Sequence, residues 1–256
     1  MSAELHGKVA VVTGASRGIG RAIALALAQR GARLVLAARS EPALSEIAAL
    51  CGEARIFAAD LREPDAPAAL IETAVAAYGG VDVLVNNAGA TRRGDFLALR
   101  DDEWVDGFAL KFYAAMRCAR AAWPHLVRAR GAIVNIVGVG GRTGSAEFAI
   151  GGAVNAALLN LTKVLADRGI REGVRVNAIN PGSIATERLT ARVKTYATEH
   201  GMEVEAAREA MARALGVARF GTPEEIAAAV CFLASPAAGY VQGAILDVDG
   251  GQTRTL

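Results

Sequence analysis

Hydrophobic residues along the chain form two alternating kinds of segment. Short, nearly continuous apolar runs rich in Val, Ile and Leu predict buried strands at 8–13, 33–38, 55–58, 82–86, 132–137, 175–179 and 244–248. Longer stretches, with apolar residues three or four positions apart, predict helices at 19–30, 42–50, 67–78, 102–128, 148–168 and 223–233. Buried strands separated by helices are typical of a parallel sheet that is covered on both faces.

This alternation continues through the chain, with no linker rich in Pro, Gly or Ser and no internal repeat. The 256 residues therefore predict one α/β domain, a Rossmann-like doubly wound parallel sheet of about seven strands with helices on both faces. The longest departure is the polar, helical segment 185–219, which ends at a helix start, Gly221-Thr222-Pro223-Glu224. Because this segment follows a strand end, we expect it to cover a binding site.

Composition and charge narrow the possible functions. The net charge is only +2 and no long basic run occurs, so neither nucleic acid nor an anionic membrane is predicted as a partner. The chain enters its first strand without a charged-then-apolar leader, which predicts a cytoplasmic protein. The uncharged run 226–246 contains Pro and Gly, so it predicts a helix, a loop and a strand rather than a membrane span. Three separated cysteines predict buried thiols, and the histidines predict no metal site.

A glycine-rich turn, TGASRGIG at 13–20, joins the first strand to the first helix. Gly14 permits the tight turn, Gly18 allows the backbone to approach a pyrophosphate, and Gly20 allows the helix to pack on the sheet. The N–H groups that open the helix then face the anion. We therefore predict a dinucleotide site here, although a purely structural turn remains the alternative.

The spacing of this turn, with four further motifs, resembles the short-chain dehydrogenase/reductase superfamily over essentially the whole chain. The other motifs are Asp60-Leu61, Asn86-Asn87-Ala88-Gly89, Pro181-Gly182-Ser183-Ile184-Ala185-Thr186 and Asp249-Gly250-Gly251. The resemblance implies binding of adenine by Asp60 and Leu61, of ribose by the asparagine motif, and of nicotinamide by the proline motif. The cofactor-binding residues that it implies are Gly14, Ser16, Arg17, Gly18, Ile19, Gly20, Arg39, Asp60, Leu61, Asn87, Ala88, Gly89, Pro181, Gly182, Ile184 and Thr186.

Charge at the end of the second strand indicates which nicotinamide cofactor binds. NAD sites carry an acid about 20 residues past the glycine turn, which accepts hydrogen bonds from the ribose. Here Ala38 occupies that place and Arg39 follows it, while Arg17 lies within the turn. Two guanidinium groups and no carboxylate suit a 2′-phosphate, so we predict NADP(H) in preference to NAD(H). The alternative is that both arginines are ordinary surface charges.

The catalytic residues that the resemblance implies are missing from the sequence. The family's site has a serine after the fifth strand, a Tyr-x-x-x-Lys on the next helix and an asparagine on the helix before. Aligning the chain on these motifs places Gly138 at the serine, Gly151 at the tyrosine, Asn155 at the lysine and Lys111 at the asparagine. No Tyr-x-x-x-Lys occurs anywhere in the chain.

Lys111 and Asn155 are the predicted substitutes. A lysine that points into the space at Gly151 can bind the ribose or polarise a substrate oxygen, and desolvation lowers its pKa. Asn155 can donate hydrogen bonds to a ribose hydroxyl. Ser145, Glu147 and Arg142 are weaker candidates. Two alternatives remain: Lys111 is a surface charge of its helix, or the glycines mark the decay of an unused site.

Three kinds of function follow from these residues. The first is an NADP(H)-dependent oxidoreductase with a non-standard active site, acting on a small carbonyl, alcohol or imine. The second is a catalytically silent NADP(H)-binding protein, and the third is a structural subunit. The resemblance implies a homodimer or homotetramer formed through helices 102–128 and 148–168. We favour the oxidoreductase because the nicotinamide-side motif is complete.

Overall fold

A computed structural model describes residues 4–254. Seven parallel strands form one sheet in the order β3-β2-β1-β4-β5-β6-β7. The strands are β1 (Val9–Thr13), β2 (Arg33–Ala38), β3 (Ala54–Ala58), β4 (Val83–Asn86), β5 (Ala132–Ile136), β6 (Arg175–Pro181) and β7 (Ile245–Val248). The predicted fold class is confirmed, with strand ends within a residue or two of the predicted ones.

Helices connect the strands and cover both faces of the sheet. They are α1 (Gly18–Ala28), α2 (Glu41–Cys51), α3 (Ala66–Tyr78), α4 (Asp101–Phe108), α5 (Ala114–Ala129), α6 (Ala149–Glu172), α7 (Glu187–Glu199), α8 (Val204–Ala214) and α9 (Pro223–Ala234). The core on one face joins α1 and α9 to the sheet, and the core on the other joins α3 and α5. Right-handed crossovers from parallel strands require helices in this arrangement.

The strand order reverses beside β1, which pairs with β2 on one side and with β4 on the other. Connections from β1 and β4 therefore leave toward opposite faces, and a crevice opens between them at the carboxyl ends of the strands. Open α/β sheets bind their ligands at such a crevice. The glycine turn and the asparagine motif, which follow β1 and β4, meet there.

The single helix predicted over 102–128 is wrong in one respect. A π-helical turn, Ala109–Tyr113, separates α4 from α5. Such turns insert one extra residue into a helix and commonly occur at functional sites. Hydrophobic periodicity does not reveal the turn, because a single extra residue shifts the apolar positions by less than one-third of a turn. The π turn carries Lys111.

The long helix α6 packs against β6 and the site. The stretch Ala146–Glu172 is long and apolar enough to cross a membrane by length and composition, but Leu158 and Thr162 of α6 are fully buried in the core. The run 226–246 forms α9, a loop and β7, as predicted. In segment 185–219, α7 and α8 pack on each other through a small apolar cluster that includes Leu189 and Phe220.

Candidate active site

The glycine turn lies at the crevice. Gly14 and Gly18 have φ angles of +67° and +55°, in the left-handed region that favours glycine. A Cβ on Gly20 would overlap the carbonyl oxygen of Gly14, so the turn requires glycine there too. Helix α1 begins at Gly18 without an acidic residue in its first turn and without a side-chain cap from Arg17. Its first N–H groups therefore suit an anion such as a pyrophosphate.

Hydrogen bonds join the glycine turn to the motif that follows β4. The buried Thr13 hydroxyl accepts hydrogen bonds from the N–H groups of Asn87 and Ala88, at 2.9 and 3.0 Å. The Asn87 side chain donates to the carbonyl oxygens of Thr13 and Gly14. These bonds hold both motifs in one rigid edge of the crevice. The sequence placed them together through resemblance alone, and the sheet order explains why they meet.

Arg17 and Arg39 lie at the adenosine end of the crevice, at the ends of β1 and β2. Arg39 is exposed and forms no ion pair within residues 4–254, while Arg17 makes only a loose contact with Glu187, at 3.9 Å. Ala38 ends β2, so that position carries no carboxylate, although the Asp60 carboxylate lies close enough to Arg39 for the two charges to interact. Both guanidinium groups are therefore available to an anion, which fits a 2′-phosphate.

Asp60, predicted at the adenine, is engaged by a neighbouring arginine. Arg62 donates its backbone N–H and its guanidinium to the Asp60 carboxylate, and it also pairs with Asp106. Partial burial raises the pKa of Asp60, but the hydrogen bonds from Arg62 outweigh burial and lower it. Leu61, the next residue, is buried in the core beneath. Asp60 is thus ionised and fixed in place at neutral pH.

The nicotinamide-side motif closes on the glycine turn. Strand β6 continues through Pro181, two residues beyond the prediction, and Ile184 bridges to Gly221. Thr186 precedes α7, and its Cγ2 would lie 3.3 Å from a Cβ on Gly18. The residues predicted to bind opposite ends of the cofactor therefore border one crevice. These positions fit the cofactor, although their role in binding stays a prediction.

Gly138, at the predicted serine position, has a backbone that suits glycine. Its φ angle is +131°, which side-chain-bearing residues rarely adopt. Its N–H donates to Asn180 Oδ1 at 3.2 Å, and its carbonyl oxygen faces Asn155 Nδ2 at 3.5 Å. A Cβ on Gly138 would lie 3.2 Å from that amide nitrogen. Two asparagine side chains thus hold the backbone where the family has a hydroxyl.

The space predicted at Gly151 is filled by an aromatic ring. A Cβ on Gly151 would overlap the Phe148 side chain, and one on Gly140 would lie 2.9 Å from Phe148 Cε1. The ring therefore occupies the direction in which a tyrosine at 151 would project. The prediction of an empty space at Gly151 was wrong, because the ring of Phe148, three residues earlier in the chain, packs over the start of α6. This ring carries no hydroxyl and transfers no proton.

Lys111 points toward the ends of β4 and β5, and not into the space at Gly151 as predicted, because the Phe148 ring fills that space. Its side chain packs on Gly89, where a Cβ would lie 3.0 Å from Lys111 Cδ, and its ammonium donates to the Val137 carbonyl oxygen at 2.5 Å. Burial and, to a smaller extent, the nearby Arg188 guanidinium lower the pKa of Lys111 from 10.5 to about 8. The Lys111 side chain is therefore partly buried, which does not fit a fully solvated charge of its helix. It is a cation near the crevice that can lose its proton close to neutral pH.

Asn155, at the predicted lysine position, is buried with one polar atom unsatisfied. Its Oδ1 has no hydrogen-bond partner in the described part of the chain, and its Nδ2 makes only the 3.5 Å contact with Gly138. Buried amide oxygens are normally paired, so this oxygen suits a donor supplied by a ligand. A ribose hydroxyl, which the resemblance implies here, is such a donor.

The weaker candidates lie away from this centre or at its edge. Ser145 and Glu147 are exposed beside the short turn that precedes α6. Arg142 pairs with Asp247 on β7 at 3.4 Å, so its charge is already neutralised. Phe148 and Arg93 were not predicted as site residues; the Arg93 guanidinium carbon lies 4.1 Å from the centre of the Phe148 ring. An aromatic residue three positions before the unexpected Gly151 was the available signal.

Comparison with known proteins places this site in a family. Residues 14–253 match the family described as enoyl-(acyl carrier protein) reductase. The 3-oxoacyl-[acyl-carrier-protein] reductase FabG of Vibrio cholerae is 37% identical over 249 residues, which cover 96% of this chain and 98% of that protein. An uncharacterized oxidoreductase of Mycobacterium tuberculosis is 39% identical over 255 residues, which cover 97% of this chain and 93% of that protein.

A solved structure agrees with these relatives. L-sorbose reductase from Gluconobacter frateurii, in complex with NADPH and L-sorbose, is 34% identical and superimposes with a TM-score of 0.95 over 100% of both chains. The sequence similarity and the structural similarity thus both extend over nearly the whole chain. The chain belongs to the short-chain dehydrogenase/reductase superfamily, a superfamily of oxidoreductases.

Proposed function

We propose that the protein is an NADP(H)-dependent oxidoreductase with a non-standard active site, in which Lys111 replaces the tyrosine as proton donor and acceptor. Its substrate is a small carbonyl, alcohol or imine. The observation that carries this proposal is the position of Lys111, whose methylene chain packs on Gly89 and whose ammonium, with a pKa of about 8, donates to the Val137 carbonyl oxygen. A group with a pKa near the working pH is best suited to general acid–base catalysis.

The cofactor, when bound, supplies or accepts the hydride. The glycine turn and the start of α1 hold its pyrophosphate, and Arg17 and Arg39 take the 2′-phosphate. Asp60, Leu61 and Asn87-Ala88-Gly89 serve the adenosine and ribose, and Pro181-Gly182, Ile184 and Thr186 serve the nicotinamide. Two exposed guanidinium groups at the β1 and β2 ends, those of Arg17 and Arg39, and the NADPH of the sorbose reductase complex support the preference for NADP(H).

Lys111 can serve the substrate without leaving its present contact. An ammonium has three N–H donors, and the bond to Val137 uses only one. Another can donate to a substrate oxygen or nitrogen beyond Gly138, where no hydroxyl competes. Gly138 and Phe148 leave the site without a second proton donor at the family's usual positions, so the proton must come from Lys111 or from water.

A silent cofactor-binding protein is the second candidate. Phe148 fills the direction of the missing tyrosine, and Lys111 is bonded to backbone. Both features also suit a site that retains the cofactor and has lost catalysis. The two candidates agree on NADP(H) binding and differ on turnover.

Substitution of Lys111 separates them. NADPH oxidation is measured with purified protein and a panel of carbonyls and imines, for the wild type, Lys111→Met and the control Lys163→Met. Lys163 donates to the Gly243 carbonyl oxygen beside β7, away from the crevice. We expect Lys111→Met to lower kcat by about 100-fold or more, since positioned acid–base groups contribute that much, with an unchanged dissociation constant for NADPH.

Two results would contradict the proposal in different ways. Wild-type activity in Lys111→Met would remove the role of the lysine. Wild-type protein that binds NADPH tightly and reduces no member of the panel would favour the silent alternative.

We also propose that the protein forms a homodimer or homotetramer through 102–128 and 148–168. Exposed apolar side chains lie on this surface, among them Val105, Tyr113 and Val164. Burial of such side chains between subunits is favourable. Light scattering of the wild type and of a Val105→Glu, Val164→Glu variant tests this, and a monomeric wild type would refute it.

A further inference from the structure

Three arginines from two segments lie together at the edge of the candidate active site. We call Arg93, Arg188 and Arg192 the arginine cluster. Arg188 Nη2 donates to the Gly89 carbonyl oxygen at 3.3 Å, and Arg93 stacks on Phe148. Arg188 and Arg192 both lie close enough to Arg93 to lower its pKa, although partial burial is the larger cause. The cluster thus joins the turn after β4 to helix α7.

These arginines lack the partners that other arginines in the protein have. Within residues 4–254, none of the three forms an ion pair, and Glu147 is the one acidic residue that favours the charged form of Arg93. The neighbouring Arg92 pairs with Glu103, and Arg219, at the end of the covering segment, pairs with Glu225 at 2.7 Å. Arg188 is instead next to Arg17, another cation.

Placing these charges together is unfavourable in the free protein. Arg188 and Arg192 are four residues apart on α7, where like charges repel, and Arg93 approaches both. The aromatic ring of Phe148 offsets part of this repulsion by attracting the Arg93 guanidinium. A bound anion would remove the rest, because guanidinium groups pair bidentately with carboxylates and phosphates.

The cluster lies on the side of the crevice where the substrate would react. Arg188 and Lys111 both contact Gly89. Arg188 donates to its carbonyl oxygen, and the methylene chain of Lys111 packs against it on the side where a Cβ would lie. Arg93 lies on the ring that replaces the tyrosine at 151. The 2′-phosphate is predicted at Arg17 and Arg39; Arg17 lies next to Arg188, whereas Arg39 lies at the end of β2. An anion on the substrate would therefore reach the cluster while its carbonyl faces Lys111.

We infer that the substrate carries an anionic oxygen group, a carboxylate or a phosphate, which the arginine cluster binds while the reacting carbonyl faces Lys111. This inference rests on the proposed function and adds a substrate class to it. The covering segment 185–219 would then take part in substrate binding, because its helix α7 carries Arg188 and Arg192, two of the three arginines that bind the anion.

Matched ligand pairs that differ only in charge test the inference. Calorimetry with NADP(H)-loaded protein compares 4-oxopentanoate with its methyl ester, and dihydroxyacetone phosphate with dihydroxyacetone. We expect one anion to bind about tenfold or more tighter than its neutral partner, and this advantage to shrink at high salt. The first pair probes a carboxylate source and the second a phosphate source.

Variants then assign the effect to the cluster. Arg93→Gln combined with Arg192→Gln should remove the advantage of the anion and leave binding of the neutral partner unchanged. The control is Arg213→Gln on α8, whose charge pairs with Glu209 away from the crevice. Equal affinity for the charged and neutral ligands of both pairs would overturn the inference, as would an equal loss in the Arg213→Gln control.

The outcomes distinguish this inference from the proposed function. If an anion binds through the cluster but no ligand is reduced, the inference stands and the proposed catalysis fails. If a neutral ketone is reduced through Lys111 and charge gives no advantage in either pair, the catalysis stands and the anion site is refuted.

Discussion

The two halves of the crevice differ in how closely they follow their family. On the side of β1, β2 and β4, the glycine turn, Thr13 and Asn87 form the hydrogen-bonded edge that a dinucleotide site needs. On the side of β5 and α6, the predicted serine and tyrosine positions are Gly138 and Gly151, and the Phe148 ring fills the space beside Gly151. The first side therefore carries the motifs of the family, whereas the second lacks the side chains that the resemblance predicts there.

The kinds of residue on the two sides explain this difference. The cofactor side depends largely on backbone N–H groups and on glycine conformations. Substitution of these glycines would therefore disrupt the turn that joins β1 to α1. The catalytic side works through side chains at strand and helix ends, which can be exchanged without breaking the sheet. The comparison can be tested by changing one side at a time.

The largest effect is expected from restoring a tyrosine. Gly151→Tyr must displace the Phe148 ring, and overpacking of this kind should lower the free energy of unfolding by about 3 kcal/mol. Combining it with Phe148→Ala should recover most of the loss, because the ring then makes room. Urea unfolding of the two single variants and the double variant gives the coupling energy. Additive effects would show that the ring does not fill the tyrosine position.

The next effect concerns the cofactor side. Arg39→Ala should weaken NADPH binding by about 2 kcal/mol, some thirtyfold, since bonds to charged groups contribute this much, and leave NADH binding unchanged. Arg120→Ala, an exposed arginine on α5, is the control. Calorimetric titration with both cofactors measures the effect. Parallel losses for NADPH and NADH would mean that Arg39 does not contact the 2′-phosphate.

The pH dependence of turnover sharpens the catalytic side. Reduction of a carbonyl needs Lys111 protonated, and burial lowers the pKa of this lysine to about 8. Above that pH, kcat/KM for reduction should fall about tenfold per pH unit. A fall that persists unchanged in the residual activity of Lys111→Met would assign the titration to another group.

The same pKa predicts a stability change of stated sign. The unfolded lysine keeps its proton up to about 10.5, whereas the folded one releases it near 8, so the unfolded state binds more protons between these values. The free energy of unfolding of the wild type should therefore rise relative to that of Lys111→Met from pH 8 to 10.5. Urea unfolding across this range provides the measurement.

The smallest effect is expected at Asn155. Its Oδ1 is buried without a partner, so Asn155→Leu should change the stability of the cofactor-free protein little, while NADPH binding weakens by about 1 kcal/mol. Asn135→Leu is the matched contrast, because Asn135 accepts from Asn86 and donates to Thr162. It should destabilise the protein. Unchanged NADPH affinity in Asn155→Leu would show that the cofactor does not satisfy this oxygen.

The sequence predicted the fold well because the sheet depends on patterns that are local. Apolar runs marked the strands, and caps such as Thr222 marked helix starts, where its hydroxyl accepts from the Glu225 N–H. The π turn at Ala109–Tyr113 escaped prediction because it changes the path of a helix without changing its apolar face. The strand order was not predicted from the sequence; in the structure it places β1 beside β4 and so explains why Thr13 and Asn87 meet.

The site was predicted unevenly for a related reason. Absence of the tyrosine was visible in the sequence, but what fills its place depends on how Phe148 turns at the start of α6. The direction of Lys111 depends on the π turn and on the bare backbone at Gly89. The arginine cluster joins residues almost a hundred positions apart, so only the folded chain brings it together.

The backbone at Gly138 has a consequence for redesign of this site. A serine there would have to adopt a φ of +131° and press on the Asn155 amide, at the predicted lysine position. A hydroxyl introduced at 138 alone would therefore be strained. Redesign toward the arrangement that the resemblance implies must change the backbone at 138 and the side chain at 155 together.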